Sequence, residues 1–456
     1  MDRSNYYRCN LIFTSKLNSW VLKESIVVFM LKITGGFIAF ILQVYIARLL
    51  GPEQLGIYSY VFSWVIIFSL FSSFGFEHLQ VRYIAYYKAK KQINKLLSLI
   101  RSGQLFVFSL GILVALLITI IVYILGEDVS KSVSATFLWG VLIIPILAII
   151  NSNNGILRGL KKQLLVSVLF EVLRPLLLLL FVVILVQYIS EISAKMIMAL
   201  TVGSLSLICF LSMYWIITNR NNIAANQKET KQRTIKKEVL SSLKWAKAAV
   251  PFILFVGVVQ IEKNIDILML GSLINMEASG IYTVATKITT IILLLTMTMN
   301  TVAAPIFSEL YAIGKLYELR RLVSLLAKIS SAISFVILLV IYFYGEEIIC
   351  LFGREFREGV VVFKILTVAH FIKILAGPVL MISIMTGYQK VALKVIATGA
   401  LIHVMLNAIL IPYWGMMGAA VSASISNIFW CTLLSYLLCK KLGFNLTAFS
   451  NSKYPL

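Results

Sequence analysis

The chain has 456 residues, of which 60% are hydrophobic and 13% charged, and its mean hydropathy is +0.93. Soluble domains are roughly 45–50% apolar and about 25% charged, so this composition excludes a single water-soluble core. The net charge of +22 would indicate nucleic-acid binding in a soluble protein. In a membrane protein the same excess is expected from basic cytoplasmic loops, so we predict no nucleic-acid partner.

The apolar residues fall in blocks of about 20, the length that an α-helix needs to cross about 30 Å of hydrocarbon. They predict an all-α integral membrane protein with twelve transmembrane helices. Residues 1–23 are polar and precede the first block without a small-residue cleavage site, so we expect that span to stay as an anchor. The predicted spans are 25–47, 56–76, 103–125, 135–155, 164–187, 195–217, 248–270, 281–306, 324–344, 360–384, 393–411 and 416–438.

The basic residues predict the orientation of these spans. With the N-terminus in the cytoplasm, 30 of the 41 lysines and arginines lie in cytoplasmic segments and five in outer connections. Because lysine and arginine are enriched in cytoplasmic loops, we predict that both termini are cytoplasmic. The outer connections are short, so we expect the activity to lie within the membrane.

Two short strings recur in order along the chain. Gly56–Tyr58 is echoed by Gly280–Tyr282 after 224 residues, and Gly159–Lys162 by Gly387–Lys390 after 228 residues. The similar offsets predict two halves of six spans each, which share one orientation because six is even. We therefore expect two parallel six-helix lobes around a central cavity, an arrangement typical of transporters with alternating access. The predicted units are an N-terminal lobe, a cytoplasmic linker and a C-terminal lobe, over residues 1–222, 223–247 and 248–456.

Five segments of this chain resemble the polysaccharide-unit flippases of the multidrug/oligosaccharidyl-lipid/polysaccharide exporter superfamily. They are Ala47–Ser59, Asp266–Tyr282, Gly155–Lys162, Thr386–Lys390 and Trp414–Ala420. The resemblance covers the whole chain, keeps the order of the motifs and points to the O-antigen and capsule-unit branch. It implies a multi-pass protein of the bacterial plasma (inner) membrane. Such proteins flip undecaprenyl-diphosphate-linked oligosaccharides from the cytoplasmic to the outer leaflet. The implied partners are this substrate, membrane lipids and other polysaccharide assembly proteins.

Several cations lie within predicted spans. An ionisable side chain at bilayer depth costs about 2.5–3.5 kcal/mol on insertion scales, so each is a candidate for function. Lysine and arginine between the lobes would replace the water that a diphosphate loses in hydrocarbon. The alternative is a structural counter-ion or a residue that extends to the membrane surface. The predicted headgroup contacts are Lys32, Lys263, Lys287, Lys373, Arg48 and Arg174.

Acidic residues in the spans suggest ion coupling. Glu262 and Asp266 are four residues apart on one helix face, where two carboxylates in a low dielectric tend to share a proton. We predict that these two and Glu171 form a proton or sodium coupling site. The alternatives are that Lys263 neutralises Asp266 and that Glu171 pairs with Arg174.

Catalytic signatures are absent from the sequence. It contains no H-E-x-x-H, G-x-S-x-G or Walker A string, so we predict no catalytic residues, no cofactor, no metal and no enzyme activity. His370 and His403 are interpreted as packed, neutral residues. Two rival functions stay open. A multidrug/cation antiporter of the same superfamily would be expected to carry an acid in the first span, where this chain has Lys32. A membrane-embedded polysaccharide polymerase would need a large outer loop.

Overall fold

The computed structural model describes residues 3–124, 130–225, 235–444 and 446–447, and these residues form helices and turns without any strand. The first half contains α1 (Arg3–Ser73), α2 (Phe76–Ala89), α3 (Ile93–Ile124), α4 (Lys131–Gly159), α5 (Gln163–Val166), a π-helical turn (Ser167–Leu173), α6 (Arg174–Tyr188) and α7 (Ala194–Ala225). The second half contains α8 (Ile235–Leu273), α9 (Met276–Ala312), α10 (Leu316–Cys350), a 3-10 turn (Arg354–Gly359), α11 (Val360–Leu375), α12 (Val379–Met385) and α13 (Gln389–Leu442).

Two of the long helices are each broken by one glycine. Gly51 has φ 66° and is followed by Pro52, whose fixed φ suits the first turn of a new helix. Gly415 has φ 54°, a left-handed value that costs glycine little. Each of α1 and α13 therefore supplies two predicted spans.

The number of membrane passes follows from these breaks. Among the described residues, seven helical stretches are long and apolar enough to cross a membrane, or eight when α11 and α12, bent by 41°, count as one. Dividing α1 and α13 adds two passes. The remaining two are α8 and α9, with 39 and 37 residues. The predicted all-α fold with twelve transmembrane helices is confirmed.

Each half has its own apolar core. In the first half one buried cluster includes Val61, Ile143 and Met198. In the second half another includes Phe307 and Leu434. A further cluster joins the halves, with Leu55 of α1 in the same core as Tyr282 of α9 and Phe352. The predicted linker, 223–247, includes the last residues of α7 and the first residues of α8, and its positions 226–234 lie outside the described residues.

The two halves touch where the repeated strings lie. A methyl group added at Gly56 would overlap the carbonyl oxygen of Met276, and one added at Gly280 would overlap the carbonyl oxygen of Pro52. The two glycines face each other reciprocally, because each would also crowd the backbone nitrogen of the other. This contact lies at the end of the helices that is predicted to face outside, so the lobes are closed there.

Candidate functional site

A cavity of about 430 Å³ lies mainly in the first half. Its polar wall combines groups from several helices, and Thr290 of α9 reaches it from the second half. The other polar residues that line it are Lys32, Gln43, Tyr58, Glu171, Arg174, Thr201 and Ser204. The cavity therefore brings together three residues predicted from the sequence, which are Lys32, Glu171 and Arg174.

Close helix packing places the charged side chains of this cavity. Gly35 of α1 lies against the π-helical turn so tightly that a methyl group there would overlap the carbonyl oxygen of Glu171. Pro175 has no N–H to bond that carbonyl in an α-helix, which favours a change of register at this point. The π-helical turn directs Glu171 and Arg174 into the cavity beside Lys32. Turns of this kind often occur at functional sites.

The cations of the cavity are not neutralised by ion pairs. In the part of the chain that the structure describes, neither Lys32 nor Arg174 takes part in an ion pair, and Glu171 does not pair with Arg174. Tyr58 and Thr201 share a hydrogen bond of 3.3 Å in the cavity wall. With Lys32 and Arg174 against the one carboxylate of Glu171, the wall of the cavity carries a net positive charge, which suits an anionic ligand.

Cations of the second half continue this positive surface. Lys287 of α9 is exposed and lies within electrostatic range of Arg174 in the first half and of Lys263 in α8. Lys263 is also exposed and lies within range of Lys373 in α11. Four of the six predicted headgroup residues thus form a series of neighbouring positive charges that runs from one lobe to the other.

Lys373 differs from the other cations because it has partners. Its Nζ donates a hydrogen bond of 2.8 Å to Asn427 Oδ1 and lies 4.6 Å from the centre of the Trp430 ring. The indole Nε1 of Trp430 donates to Glu262 Oε1 over 2.9 Å. Lys373 therefore lies over the face of the Trp430 ring, and Glu262 lies at its N–H edge.

Arg48 lies away from the cavity. Its Nε donates a hydrogen bond of 2.6 Å to the carbonyl oxygen of Leu351, which follows α10 in the second half. It is exposed and is not among the residues that line the cavity. The structure thus places Arg48 at the contact between the halves on the predicted outer side.

Asp266 is buried and held by donors from two other helices. Tyr282 of α9 donates to Oδ2 over 2.8 Å, and Asn407 of α13 donates to Oδ1 over 2.6 Å. His403 Nε2 lies 2.7 Å from the same Oδ1. Glu262 and Asp266 thus have separate partners, and the ion-pair partner of Asp266 among the described residues is His403, while Lys263 is exposed.

The sequence interpretation did not include His403 in the candidate site. The available signal was its spacing of four residues from Asn407, which puts two polar side chains on one face of a membrane helix. In the described part of the chain, no group of three His, Cys, Asp or Glu side chains is placed to hold a metal ion.

The two-lobed helical fold, with a cationic cavity within the membrane, defines a membrane transporter. Residues 21–311 match the family described as "Polysaccharide biosynthesis protein", and residues 251–409 match the family described as MatE. Because the first match covers more than half of the sequence, the chain belongs to the polysaccharide biosynthesis protein family. It is thereby a member of the multidrug/oligosaccharidyl-lipid/polysaccharide exporter (MOP) superfamily. None of the curated proteins matches the sequence.

Solved structures of MOP transporters share the fold. A multidrug-resistance MATE transporter in an inward-facing conformation has 15% identity and a TM-score of 0.70, covering 92% of this chain and 98% of its own. A variant of the Vibrio cholerae MATE transporter VcmN has 15% identity and a TM-score of 0.61, covering 95% and 99%. A MOP transporter from Pyrococcus furiosus has 16% identity and a TM-score of 0.62, covering 93% and 95%. It is described as having a binding pocket of reverse polarity that suggests a different function.

Proposed function

We propose that the protein flips undecaprenyl-diphosphate-linked oligosaccharide repeat units from the cytoplasmic to the outer leaflet of the bacterial plasma membrane. The two lobes alternate access, and both termini lie in the cytoplasm. The diphosphate headgroup passes through the cationic space between the lobes while the polyprenyl tail stays in lipid. The substrate, the surrounding lipids and other polysaccharide assembly proteins are its partners.

One observation carries this proposal. Arg174, Lys287 and Lys263 follow one another across the boundary between the halves, and Lys32 adds a fourth cation in the cavity. Unpaired cations at membrane depth are costly, so they are expected only where an anion or water faces them. A diphosphate supplies that anion, because arginine binds phosphate oxygens in pairs and lysine acts as a point charge.

The positive cavity also argues against a multidrug/cation antiporter. A cationic drug would be repelled by Lys32, Arg174 and Lys287, whose charges lie within one contiguous region. For the Pyrococcus furiosus transporter, reverse polarity of the pocket was taken to suggest a different function. We apply the same reasoning here, and it supports an anionic substrate.

We further propose that transport is coupled to a proton or a sodium ion through the acidic residues of the spans. Glu171 lies in the cavity wall beside Arg174, while Glu262 and Asp266 lie in α8 of the second half. Binding of a cation at these carboxylates changes the local charge and thereby the relative stability of the inward-open and outward-open states.

The test is the fate of lipid-linked units in cells that lack this chain. We expect lipid-linked units to accumulate in the cytoplasmic leaflet. Expression of the wild-type chain should restore their movement to the outer leaflet. A chain with both Lys32→Gln and Arg174→Gln should fail to restore it, whereas Lys195→Gln, at an exposed cation outside the cavity, should succeed. Normal export in the deleted cells, or loss of drug resistance as their sole defect, would show that the proposal is wrong.

A further inference from the structure

The cluster around Asp266 combines strong burial with incomplete hydrogen bonding. Asp266, Tyr282, His403 and Asn407 are each at most 5% exposed, and they come from three helices, α8, α9 and α13. Within the described residues, three atoms of this cluster make no hydrogen bond: His403 Nδ1, His403 Nε2 and Asn407 Oδ1. A buried polar atom without a partner costs about 1–3 kcal/mol, so the hydrogen bonding of this cluster is incomplete.

The contact between His403 and Asp266 has the character of an ion pair. Nε2 and Oδ1 are 2.7 Å apart, yet neither ring nitrogen makes a directed hydrogen bond within the described residues. A neutral imidazole gains little from such a contact. An imidazolium gains the attraction of the carboxylate in a low dielectric. The geometry therefore suits one additional proton on the imidazole.

A sodium ion suits the same cluster poorly. Hard cations prefer several oxygen ligands, whereas imidazole nitrogen is a ligand for transition metals. Both oxygens of Asp266 already accept hydrogen bonds, from Tyr282 and Asn407. Sodium would have to displace these donors, while a proton requires no displacement.

The neighbouring charged groups define the field in which this proton binds. Glu262 adds its negative charge to that of Asp266 at His403. Beyond Glu262 lie further titratable groups: Lys263 of α8 and Cys431 of α13 are within electrostatic range of Glu262 and of Lys373, Lys287 of α9 is within range of Lys263, and His370 of α11 is within range of Lys373. Of these, Lys373 is held by Asn427 and Trp430, and Lys263 and Lys287 are exposed.

We propose that the His403–Asp266 pair binds and releases one proton in each transport cycle, and that the coupling ion is this proton. The coupling part of the inference rests on the proposed function. The cluster around Asp266 is close to the contact between the lobes, because Tyr282 lies two residues after Gly280, which packs against Pro52 of the first half. Ser279, next to Gly280, donates a hydrogen bond of 3.1 Å to the carbonyl oxygen of Ile267, next to Asp266, so the lobe contact and the cluster belong to one packed unit.

The proton is detectable without any substrate, because the chain contains three histidines, His78, His370 and His403. Full-length protein labelled with ¹⁵N-histidine in lipid vesicles would be followed by NMR from about pH 5 to about pH 9, the range over which histidine changes charge. Among the signals that titrate reversibly, we expect one to be lost in His403→Gln. His370→Gln is the matched control, because His370 bonds to the carbonyl of Leu366 in its own helix.

Two further variants test the role of Asp266. Asp266→Asn should weaken proton binding at His403 by about tenfold or more, since the carboxylate supplies the attraction. Tyr282→Phe keeps the shape of the side chain and should strengthen proton binding. A neutral His403 throughout this range, or a signal that responds to sodium and not to pH, would overturn the inference.

The outcome is separable from that of the proposed function. If His403 titrates but lipid-linked oligosaccharide is not flipped, the proton site stands and the substrate is wrong. If flipping occurs but His403→Gln leaves its dependence on a proton gradient unchanged, the coupling role is wrong.

Discussion

At the scale of single residues, one tryptophan organises two opposite charges inside the second half. Trp430 of α13 donates its N–H to Glu262 of α8 and presents its ring face to Lys373 of α11. An indole can do both because its donor lies in the ring plane, while the attraction for a cation is perpendicular to that plane. Three helices are thereby joined through one side chain.

The change Trp430→Phe separates these two contacts. It keeps an aromatic ring near Lys373 but removes the donor to Glu262. Loss of a hydrogen bond to a charged, half-buried group costs about 1.5–3 kcal/mol, so we expect a lower thermal unfolding midpoint in detergent. Trp414→Phe, on the same helix but 58% exposed, is the control and should leave the midpoint nearly unchanged. Equal losses in the two variants would contradict this account.

At the scale of elements, the shape of the cavity depends on a glycine and a π-helical turn. Gly35 admits the carbonyl of Glu171, and the turn over Ser167–Leu173 directs Glu171 and Arg174 inward. A regular α-helix through these positions would turn the side chains that follow the turn by roughly 100°, one residue of helical rotation. The positive wall therefore depends on this local irregularity.

Gly35→Ala tests that dependence. A methyl group there would displace α1 from the π-helical turn, and overpacking of this kind typically costs about 1–3 kcal/mol. We expect lower stability and slower transport, measured by thermal unfolding and by a flipping assay on the same preparation. The control is Gly203→Ala in α7, where the added methyl would make an ordinary contact with Phe181. Wild-type stability and transport rate in Gly35→Ala would show that Gly35 does not pack tightly against the carbonyl of Glu171.

The elements also show what the sequence could predict. The blocks of apolar residues predicted twelve spans because hydrocarbon thickness alone fixes their length. The π-helical turn was not predicted: Pro175 favours a change of register there, but the packing of Gly35 on the carbonyl of Glu171, more than 130 residues further along the chain, is visible only in the structure. His403 was missed for a similar reason, because its partner Asp266 lies in α8 and only tertiary packing brings the two together. Lys32 and Arg174, which line the cavity, could be selected from the sequence because a charge in an apolar block is visible there.

At the scale of the whole molecule, the internal repeat forms the contact between the lobes. Gly56 and Gly280 were recognised as equivalent landmarks, but sequence spacing did not reveal that they touch each other. Arg48 adds a hydrogen bond across the same contact, to Leu351. Because glycines allow two backbones to approach closely, the contact between Gly56 and Gly280 can itself form and separate without a side chain to rearrange, whereas the Arg48 hydrogen bond must break.

Gly280→Ala should therefore destabilise closure on the predicted outer side. Spin labels on cysteines placed at Lys131 and Arg354, both exposed in outer connections, would report the separation of the lobes once the five native cysteines are replaced. We expect the distance distribution to shift to longer values. Gly257→Ala, where the methyl group makes only an ordinary contact with Leu70, should leave the distribution unchanged. Identical distributions in the two variants would show that the contact does not hold the lobes together.

The most direct test of the central claim is a flipping measurement on purified protein in vesicles. Undecaprenyl-diphosphate-linked oligosaccharide, labelled and placed in one leaflet, would be followed as it reaches the other. Each charged hydrogen bond to phosphate is worth about 1.5–3 kcal/mol, so loss of one should slow flipping by about tenfold or more. We predict this result for Lys32→Gln, Arg174→Gln and Lys287→Gln, and no change for Lys195→Gln. Wild-type rates in all three of these variants, or transport of organic cations in place of the lipid, would contradict the account.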